Sequence, residues 1–146
     1  MELVQKPATK EDIDVIFQLC RQLIEDYERP ESIDYPKVLA WVRKKLEDSV
    51  GEYTAVYVNG QKAGFYHFFR NEEGLLELDD LYIFPEFQNR GIGTRIIEQC
   101  CARVREPVML YVFIRNSGAV RLYRRLDFQV TQTIHGSRYI MLRNPL

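Results

Sequence analysis

The chain has few of the residues and segments that mark several large classes of protein. It contains three cysteines, two histidines and one tryptophan among 146 residues. No apolar run approaches the roughly 20 residues that a membrane-spanning helix needs, and the segment MELVQKPATKED is too polar for a secretory signal. The formal net charge of −1 gives no basic excess for nucleic acid. We therefore expect neither a membrane nor a nucleic-acid partner.

The cysteines, Cys20, Cys100 and Cys101, do not suit a disulfide scaffold. Their number is odd, adjacent cysteines cannot easily bridge each other, and no C-x-x-C or Cys/His cluster suits zinc. Cys100 and Cys101 are also expected inside a helix, without the cationic setting that activates a thiol. We predict reduced, packing thiols in a cytoplasmic protein that binds no metal.

Hydrophobic patterning predicts one α/β domain over residues 1–146. A hydrophobic share of 46% is typical of a globular protein, and the length is sufficient to bury a core. Predicted strands span Glu2–Lys6, Tyr53–Val58, Lys62–Arg70, Leu75–Phe84, Val108–Arg115, Phe128–Ile134 and Arg138–Arg143. The first predicted helix begins after Thr9. Three further helices are predicted over Pro36–Leu46, Ile92–Arg105 and Gly118–Leu126. This alternation favours a mixed sheet with helices on both faces.

Local signals support several of these boundaries. Thr9 and Asp12 have the spacing of a capping box at the start of the first helix. The dipeptide Asn59-Gly60 is a strong hairpin signal because both residues accept a positive φ. Trp41, on the second helix, is expected to pack rather than to form a substrate platform.

The stretch LDDLYIFPEFQNRGIGT, residues 78–94, carries the clearest functional signal. It is typical of a strand, a proline stop, a glycine-bearing loop and a helix start, which together direct backbone N–H groups at an anion. Gly91 and Gly93 can also simply open a tight turn. The chain has no G-x-x-x-x-G-K-[ST] motif and lacks the third glycine of a dinucleotide fingerprint. A phosphate site is the better interpretation, with Arg90 and Arg95 as possible cationic partners.

Two motifs stand out, one at Gln88, Gly91 and Gly93 after a strand and one at Asn116, Ala119, Leu122, Tyr123 and Phe128. Together they resemble the signatures of the GNAT superfamily of N-acetyltransferases. The Q/R-x-x-G-x-G/A signature is matched after a strand by Gln88, Gly91 and Gly93. The downstream N-x-x-A-x-x-L-Y-x-x-x-G-F pattern is matched at Asn116, Ala119, Leu122, Tyr123 and Phe128. Asp127 stands where this pattern has Gly, and Asp adopts a positive φ less readily.

The resemblance implies a single-domain, mostly antiparallel mixed sheet of about six to seven strands with acetyl-CoA as cosubstrate. The acetyl group would pass directly to a primary amine, on a small molecule or a protein, in a ternary complex. The implied acetyl-CoA-binding residues are Leu81, Tyr82, Ile83, Gln88, Asn89, Arg90, Gly91, Ile92, Gly93, Thr94, Asn116 and Tyr123. Asn116 can equally be a helix cap. A homodimer is possible by analogy only.

The resemblance also implies a set of catalytic residues. Strand alternation places Glu77 and Asp79 on the same face as Leu81. Glu77 matches the general base, with Asp79 as the alternative, and the N–H of Leu81 matches the oxyanion donor. Tyr123 matches the general acid, although most helical tyrosines are packing residues. Likewise, an acid at this point of a strand can lie at a wet sheet rim or face substrate.

Other functions remain open at the level of sequence. A non-catalytic acyl-CoA-binding sensor would keep Gln88–Thr94 without needing Glu77 or Tyr123. A general phosphate- or nucleotide-binding protein would bind ATP or NAD as well as acetyl-CoA. Acidic residues, including Glu28, Glu31, Asp34, Asp79 and Asp80, give a weak preference for a cationic acceptor. His67 can line the acceptor site or be a simple sheet residue.

Overall fold

The computed structural model describes residues 2–145 of the chain. Within them seven strands form one sheet: β1 Leu3–Pro7, β2 Thr54–Val58, β3 Gln61–Arg70, β4 Leu76–Ile83, β5 Val108–Phe113, β6 Gln129–Ile134 and β7 Arg138–Arg143. The α-helices are α1 Ile13–Tyr27, α2 Tyr35–Ser49, α3 Ile92–Ala102 and α4 Ser117–Arg125. Short 3₁₀ turns lie at Lys10–Asp12, Pro30–Ser32, Val50–Glu52 and Pro85–Phe87.

The sheet is mixed, as the sequence predicted, with the order β1-β2-β3-β4-β5-β7-β6. The pairs β1–β2, β2–β3, β5–β7 and β6–β7 are antiparallel. Strands β4 and β5 are parallel. A parallel pair needs a crossover connection, which here contains α3. This connection places the start of α3 directly after the strand that carries Glu77.

The chain forms two compact units, of which the first comprises the residues up to His67 together with Asp80–Glu86. Its core packs Ile13 and Ile16 of α1 and Leu46 of α2 with Tyr53 and Phe65. The capping box at Thr9 is present, with the Thr9 N–H donating to Asp12 Oδ2 at 2.9 Å. The hairpin turn at Asn59-Gly60 has φ values of 50° and 83°. These local predictions are confirmed.

The second unit comprises Phe68–Asp79 and the residues from Phe87 onward. The apolar face of α3 is buried, with Ile96, Ile97 and Cys100 fully removed from solvent. Phe128 and Met141 are equally buried, just before β6 and on β7. This unit contains the glycine loop, both matched motifs and Glu77.

Some predicted boundaries and one packing assignment need correction. Helix α2 extends beyond the predicted Pro36–Leu46 at both ends, and Asp34 caps its start by accepting from the Lys37 N–H at 3.3 Å. Helix α3 ends at Ala102 rather than Arg105. The expectation that Trp41 packs into the protein is wrong, since the residue is 64% exposed and its ring lies 5.2 Å from Lys45 Nζ.

Candidate active site

The loop between β4 and α3 leads into a helix that begins without a side-chain cap. Pro85 follows the end of β4, and the loop then takes left-handed backbone conformations at Asn89, with φ 63°, and Gly91, with φ 78°. Gly91 is the N-cap of α3, so no side chain caps this helix. In contrast, α2 and α4 are capped by Asp34 and Asn116. The first-turn N–H groups of α3 are therefore left for an external acceptor at the positive end of the helix dipole.

Gly93 leaves space beside this helix end. A Cβ added at Gly93 would have no heavy atom within 4 Å once its chain neighbours and the nearby backbone of α3 are set aside. The first turn of α3 also contains no acidic residue that would repel an anion. Both facts agree with a phosphate-bearing ligand that approaches the backbone closely.

Asn116 has the capping role predicted for it. Its Oδ1 accepts from the Ala119 N–H at 3.3 Å at the start of α4. The cap fixes the first turn of the helix that carries Tyr123. A contact between Asn116 and an acetyl-CoA arm stays a prediction.

Tyr123 holds its proton strongly. Its ring packs edge-on against Phe128, with centroids 5.8 Å apart. Burial of the hydroxyl group raises the pKa of Tyr123 to about 12, and the negative charge of Asp79 contributes in the same direction. The hydroxyl is therefore protonated at neutral pH and can serve as a proton donor.

Glu77 is buried within β4 rather than at a wet rim. Only 7% of the residue is exposed, and its neighbours Leu76 and Leu78 are buried as well. Asn71 Nδ2 donates to Glu77 Oε1 at 3.2 Å. A buried carboxylate is uncommon unless it is paired or functional, so the rim alternative is wrong for Glu77.

Sequence reasoning missed the part played by Asn71. Its Oδ1 accepts from the N–H groups of Glu73 and Leu75 at 3.0 Å each, which orders the turn before β4. The same side chain then orients Glu77 through its amide group. The sequence signal that could have predicted this turn is the segment N-E-E-G, residues 71–74, which begins with an Asn and ends with a Gly.

The pairing between β4 and β5 is short. Leu76 pairs with Val108 and Glu77 with Met109, and the parallel register that the structure describes stops there. Both strands continue, β4 to Ile83 and β5 to Phe113. The described pairing between β4 and β5 thus ends at Glu77, the residue with the buried carboxylate.

Asp80 differs from the other two acids of β4. It lies inside the strand with φ 51°, and its carboxylate accepts from Tyr53 and Lys45. It is thereby engaged by side chains of its own unit. Leu81, Tyr82 and Ile83 follow it and are partly exposed.

The remaining candidates have structural surroundings. His67 is buried and stacks on Tyr53 with centroids 4.4 Å apart, and burial lowers its pKa.

Cys100 is fully buried, and burial raises the pKa of the Cys101 thiol. The full burial of Cys100 agrees with a packing role, and the absence of a nucleophilic cysteine stays a prediction. Among residues 2–145, no cluster of His, Cys, Asp or Glu is suited to a metal ion, and no helix could span a membrane.

Comparison with known proteins identifies the family. The sequence profile of the acetyltransferase (GNAT) family matches residues 16–128, which include both motifs. The chain belongs to the acetyltransferase (GNAT) family. This membership agrees with the mixed sheet, the glycine loop and the four helices of the structure.

Relatives of this GNAT chain are found among archaeal proteins. It is 29% identical over 145 residues to an uncharacterised N-acetyltransferase of Methanocaldococcus jannaschii, with 88% of the chain aligned, and spans 62% of that relative's length. An uncharacterised N-acetyltransferase of Archaeoglobus fulgidus is 26% identical, with 84% of this chain and 90% of the relative covered. The fold resembles that of the PaiA N-acetyltransferase of Thermoplasma acidophilum in complex with coenzyme A, with a TM-score of 0.70, 19% identity and 99% coverage of both chains.

Proposed function

We propose that the protein is an acetyl-CoA-dependent N-acetyltransferase that transfers the acetyl group directly to a primary amine. The uncapped start of α3 at Gly91, inside the family-matched segment, is the observation that carries the proposal. A diphosphate is a suitable acceptor for the N–H groups at such a helix end. The acceptor is a small molecule or a protein amine, and both substrates are bound together during transfer.

The loop fits the diphosphate of acetyl-CoA as a cosubstrate. The backbone amides of Gln88–Thr94 would bind the diphosphate, and the open space at Gly93 admits a close approach. The backbone of Leu81–Ile83 would pair with the extended pantetheine arm, as an added strand does. The early end of the β4–β5 ladder supports this proposal.

The buried acid of β4 would prepare the amine for attack. An alkylammonium has a pKa near ~10.4, so it needs to lose a proton before it can attack a thioester at neutral pH. Glu77, oriented by Asn71, would accept this proton directly or through a water, an effect typically worth about 10²–10⁴ in rate. Asp79 is the alternative base.

Two further groups would complete the transfer. As the amine nitrogen bonds to the thioester carbon, negative charge develops on the carbonyl oxygen, and the N–H of Leu81 would stabilise it. The carbon–sulfur bond then breaks, and Tyr123 would donate its proton to the departing thiolate. The second proton of the attacking nitrogen would pass to the resulting tyrosinate, which leaves a neutral amide and a protonated Tyr123. The Tyr123 hydroxyl is protonated at neutral pH, as this role requires.

A binding-only sensor on the same fold would not need these groups. The presence of Tyr123 and of a buried Glu77 oriented by Asn71 therefore favours an enzyme over a non-catalytic acyl-CoA sensor. A homodimer remains an expectation by analogy with related folds.

The proposal is tested first by ligand binding and then by turnover. Thermal unfolding is measured with acetyl-CoA, CoA, ATP and NAD, and release of free CoA thiol is followed over a panel of small amines and peptides. We expect stabilisation by acetyl-CoA and CoA above that by ATP or NAD, with thiol release that depends on the amine. Equal stabilisation by all four ligands would contradict the proposal in favour of a general nucleotide-binding protein. Binding without any amine-dependent release would favour the sensor.

A further inference from the structure

Asp80 is the one residue within a described strand that has a left-handed backbone. The other non-glycine residues of positive φ, namely Asn59, Asn89, Asp127 and His135, lie in turns or loops. A left-handed residue inside a strand bends it locally and redirects the groups that follow. For a residue with a Cβ this conformation costs free energy, so the surroundings need to hold it in place.

The Asp80 side chain is held by donors from three other parts of the chain, namely α1, α2 and the residue before β2. Tyr53 Oη donates to Asp80 Oδ2 at 2.6 Å, and Lys45 Nζ lies 3.3 Å from the same oxygen. Cys20 Sγ lies 3.7 Å from Oδ1. The Asp80 carboxylate is 17% exposed, so these charge-assisted contacts are only weakly screened.

Tyr53 is itself rigidly placed. It is fully buried in the core of the first unit, and its ring stacks on His67. Its N–H donates to the Val50 carbonyl at 3.0 Å, and its carbonyl accepts from the Ala8 N–H at 2.8 Å. The hydroxyl that binds Asp80 is therefore fixed before any ligand arrives.

Gly64 of β3 supports the same bend from the neighbouring strand. A Cβ at Gly64 would lie 2.1 Å from the carbonyl oxygen of Tyr82. The backbone of β4 after Asp80 thus occupies space that any other residue at position 64 would fill. The Phe84 N–H then donates to the Ala63 carbonyl at 2.8 Å, which fixes the end of this segment.

We propose that Asp80, Tyr53 and Lys45 form a positioning clamp that sets the direction of the Leu81 N–H. The peptide that bears this N–H directly follows the left-handed residue, so its orientation depends on the backbone of Asp80. The proposal rests on the proposed function, in which the Leu81 N–H stabilises the developing oxyanion. These three residues are positioning residues, since none needs to touch the reacting atoms.

The kinetic test compares Tyr53→Phe, Asp80→Ala and Asp80→Asn. Tyr66→Phe is the matched control, because Tyr66 is equally buried in the same unit but its hydroxyl binds Gln5. We expect Tyr53→Phe and Asp80→Ala to lower kcat by roughly 10-fold to 100-fold, as misdirected oxyanion donors do. Affinity for CoA, held mainly by Gln88–Thr94, should change by less than about threefold. Asp80→Asn should recover most of kcat, because Asn tolerates a positive φ and keeps an oxygen acceptor for Tyr53.

A second measurement separates the clamp from the activity. The ¹⁵N–¹H resonance and hydrogen exchange of the Leu81 amide are recorded for the same variants without substrate. We expect both to change in Tyr53→Phe and Asp80→Ala and to remain as in the parent in Tyr66→Phe. If the resonance and hydrogen exchange of the Leu81 amide are unchanged in Asp80→Ala, the clamp proposal is overturned. A loss of kcat in Tyr66→Phe equal to that in Tyr53→Phe overturns it as well. Should the parent release no thiol with any amine, the proposed function fails, while the Leu81 amide still decides whether the clamp exists.

Discussion

A tyrosine whose hydroxyl is removed from water keeps its proton well above neutral pH. For Tyr123 the pKa is raised to about 12, so its protonated form persists across the range in which amine acceptors become nucleophilic. A tyrosine that is protonated throughout this pH range is available to donate a proton to a departing thiolate. It cannot act as a base at neutral pH, which restricts its role in the proposed reaction to that of an acid.

Tyr123→Phe should therefore lower kcat with little change in affinity for acetyl-CoA. The packing against Phe128 is kept, and only the proton donor is lost. We expect a loss of roughly 10²-fold, in the range for general acid catalysis. Steady-state kinetics and calorimetric titration with CoA measure the two quantities, and Tyr57→Phe on β2 is the control. Equal turnover in parent and variant would remove Tyr123 from the mechanism.

Glu77→Gln should raise the pH that activity requires. Without the carboxylate, only amine that is already deprotonated in solution reacts, and this fraction grows toward the amine pKa near ~10.4. The loss should be about 10²-fold or more at pH 7 and should shrink as pH rises. A pH–rate profile measures this, with exposed Glu72→Gln as the control. A profile of unchanged shape would transfer the base to Asp79 or to bulk water.

At the scale of elements, the start of α3 contains two glycines in different backbone settings, Gly91 at the N-cap and Gly93 inside the helix. Gly91 has φ 78°, a conformation that costs a residue with a Cβ roughly 1–2 kcal/mol. Gly93 lies within the helix, where glycine is less favourable than alanine by about 0.5–1 kcal/mol. A helix that keeps a destabilising glycine beside open space is consistent with a close ligand at that point.

The two alanine variants should consequently separate stability from binding. Gly93→Ala should stabilise the free protein slightly and weaken CoA binding by roughly tenfold or more, because its methyl group would occupy the space proposed for the diphosphate. Gly91→Ala should destabilise the free protein because of its left-handed backbone. Urea unfolding and calorimetric titration measure both effects. Full CoA affinity in Gly93→Ala would contradict the proposed position of the diphosphate.

Asp127 illustrates how an element boundary can persist without its usual residue. The family pattern has Gly after α4, and the sequence raised the question of whether Asp changes this turn. Asp127 adopts φ 70°, so the left-handed conformation is retained. The N–H of Phe128 donates to the Tyr123 carbonyl at 3.0 Å, which closes the helix end in the way a glycine cap does.

At the scale of the whole molecule, His67 should couple stability to pH. Burial lowers its pKa below the ordinary value, so the folded protein holds it neutral. The stability it contributes is complete above the unfolded pKa of ~6.5 and is lost as pH falls toward the lower folded value, because the unfolded chain then binds the proton more readily. The free energy of unfolding should thus decrease between about pH 7 and pH 5.

His67→Phe should remove this part of the pH dependence. Phe can keep the stacking contact with Tyr53 but does not titrate. Urea midpoints at several pH values compare the slopes of parent and variant, so a change in absolute stability does not obscure the result. A parent-like slope in His67→Phe would contradict the prediction.

The segments that the sequence predicted best are those set by local backbone chemistry. Asn59-Gly60, the capping box at Thr9 and the glycines after β4 all lie where predicted. Each depends on residues within a few positions of one another, so a local pattern carries the needed information. The family motifs likewise lie in one strand–loop–helix segment and in one later helix with its flanking residues, which is why both could be recognised in the linear chain.

The remaining features depend on contacts between distant parts of the chain. Asp80 meets Tyr53 and Lys45, which are 27 and 35 residues away, and Glu77 pairs with Met109 of another strand. No local pattern reports such contacts, because burial and carboxylate partners are set only when strands and helices pack. The sequence by itself determined the family, the order of elements and the glycine loop. Tertiary structure alone decided which acid accepts from Tyr53 and Lys45, which acid is buried and oriented by Asn71, and that the pKa of Tyr123 is raised, since desolvation and charge pairing arise from packing.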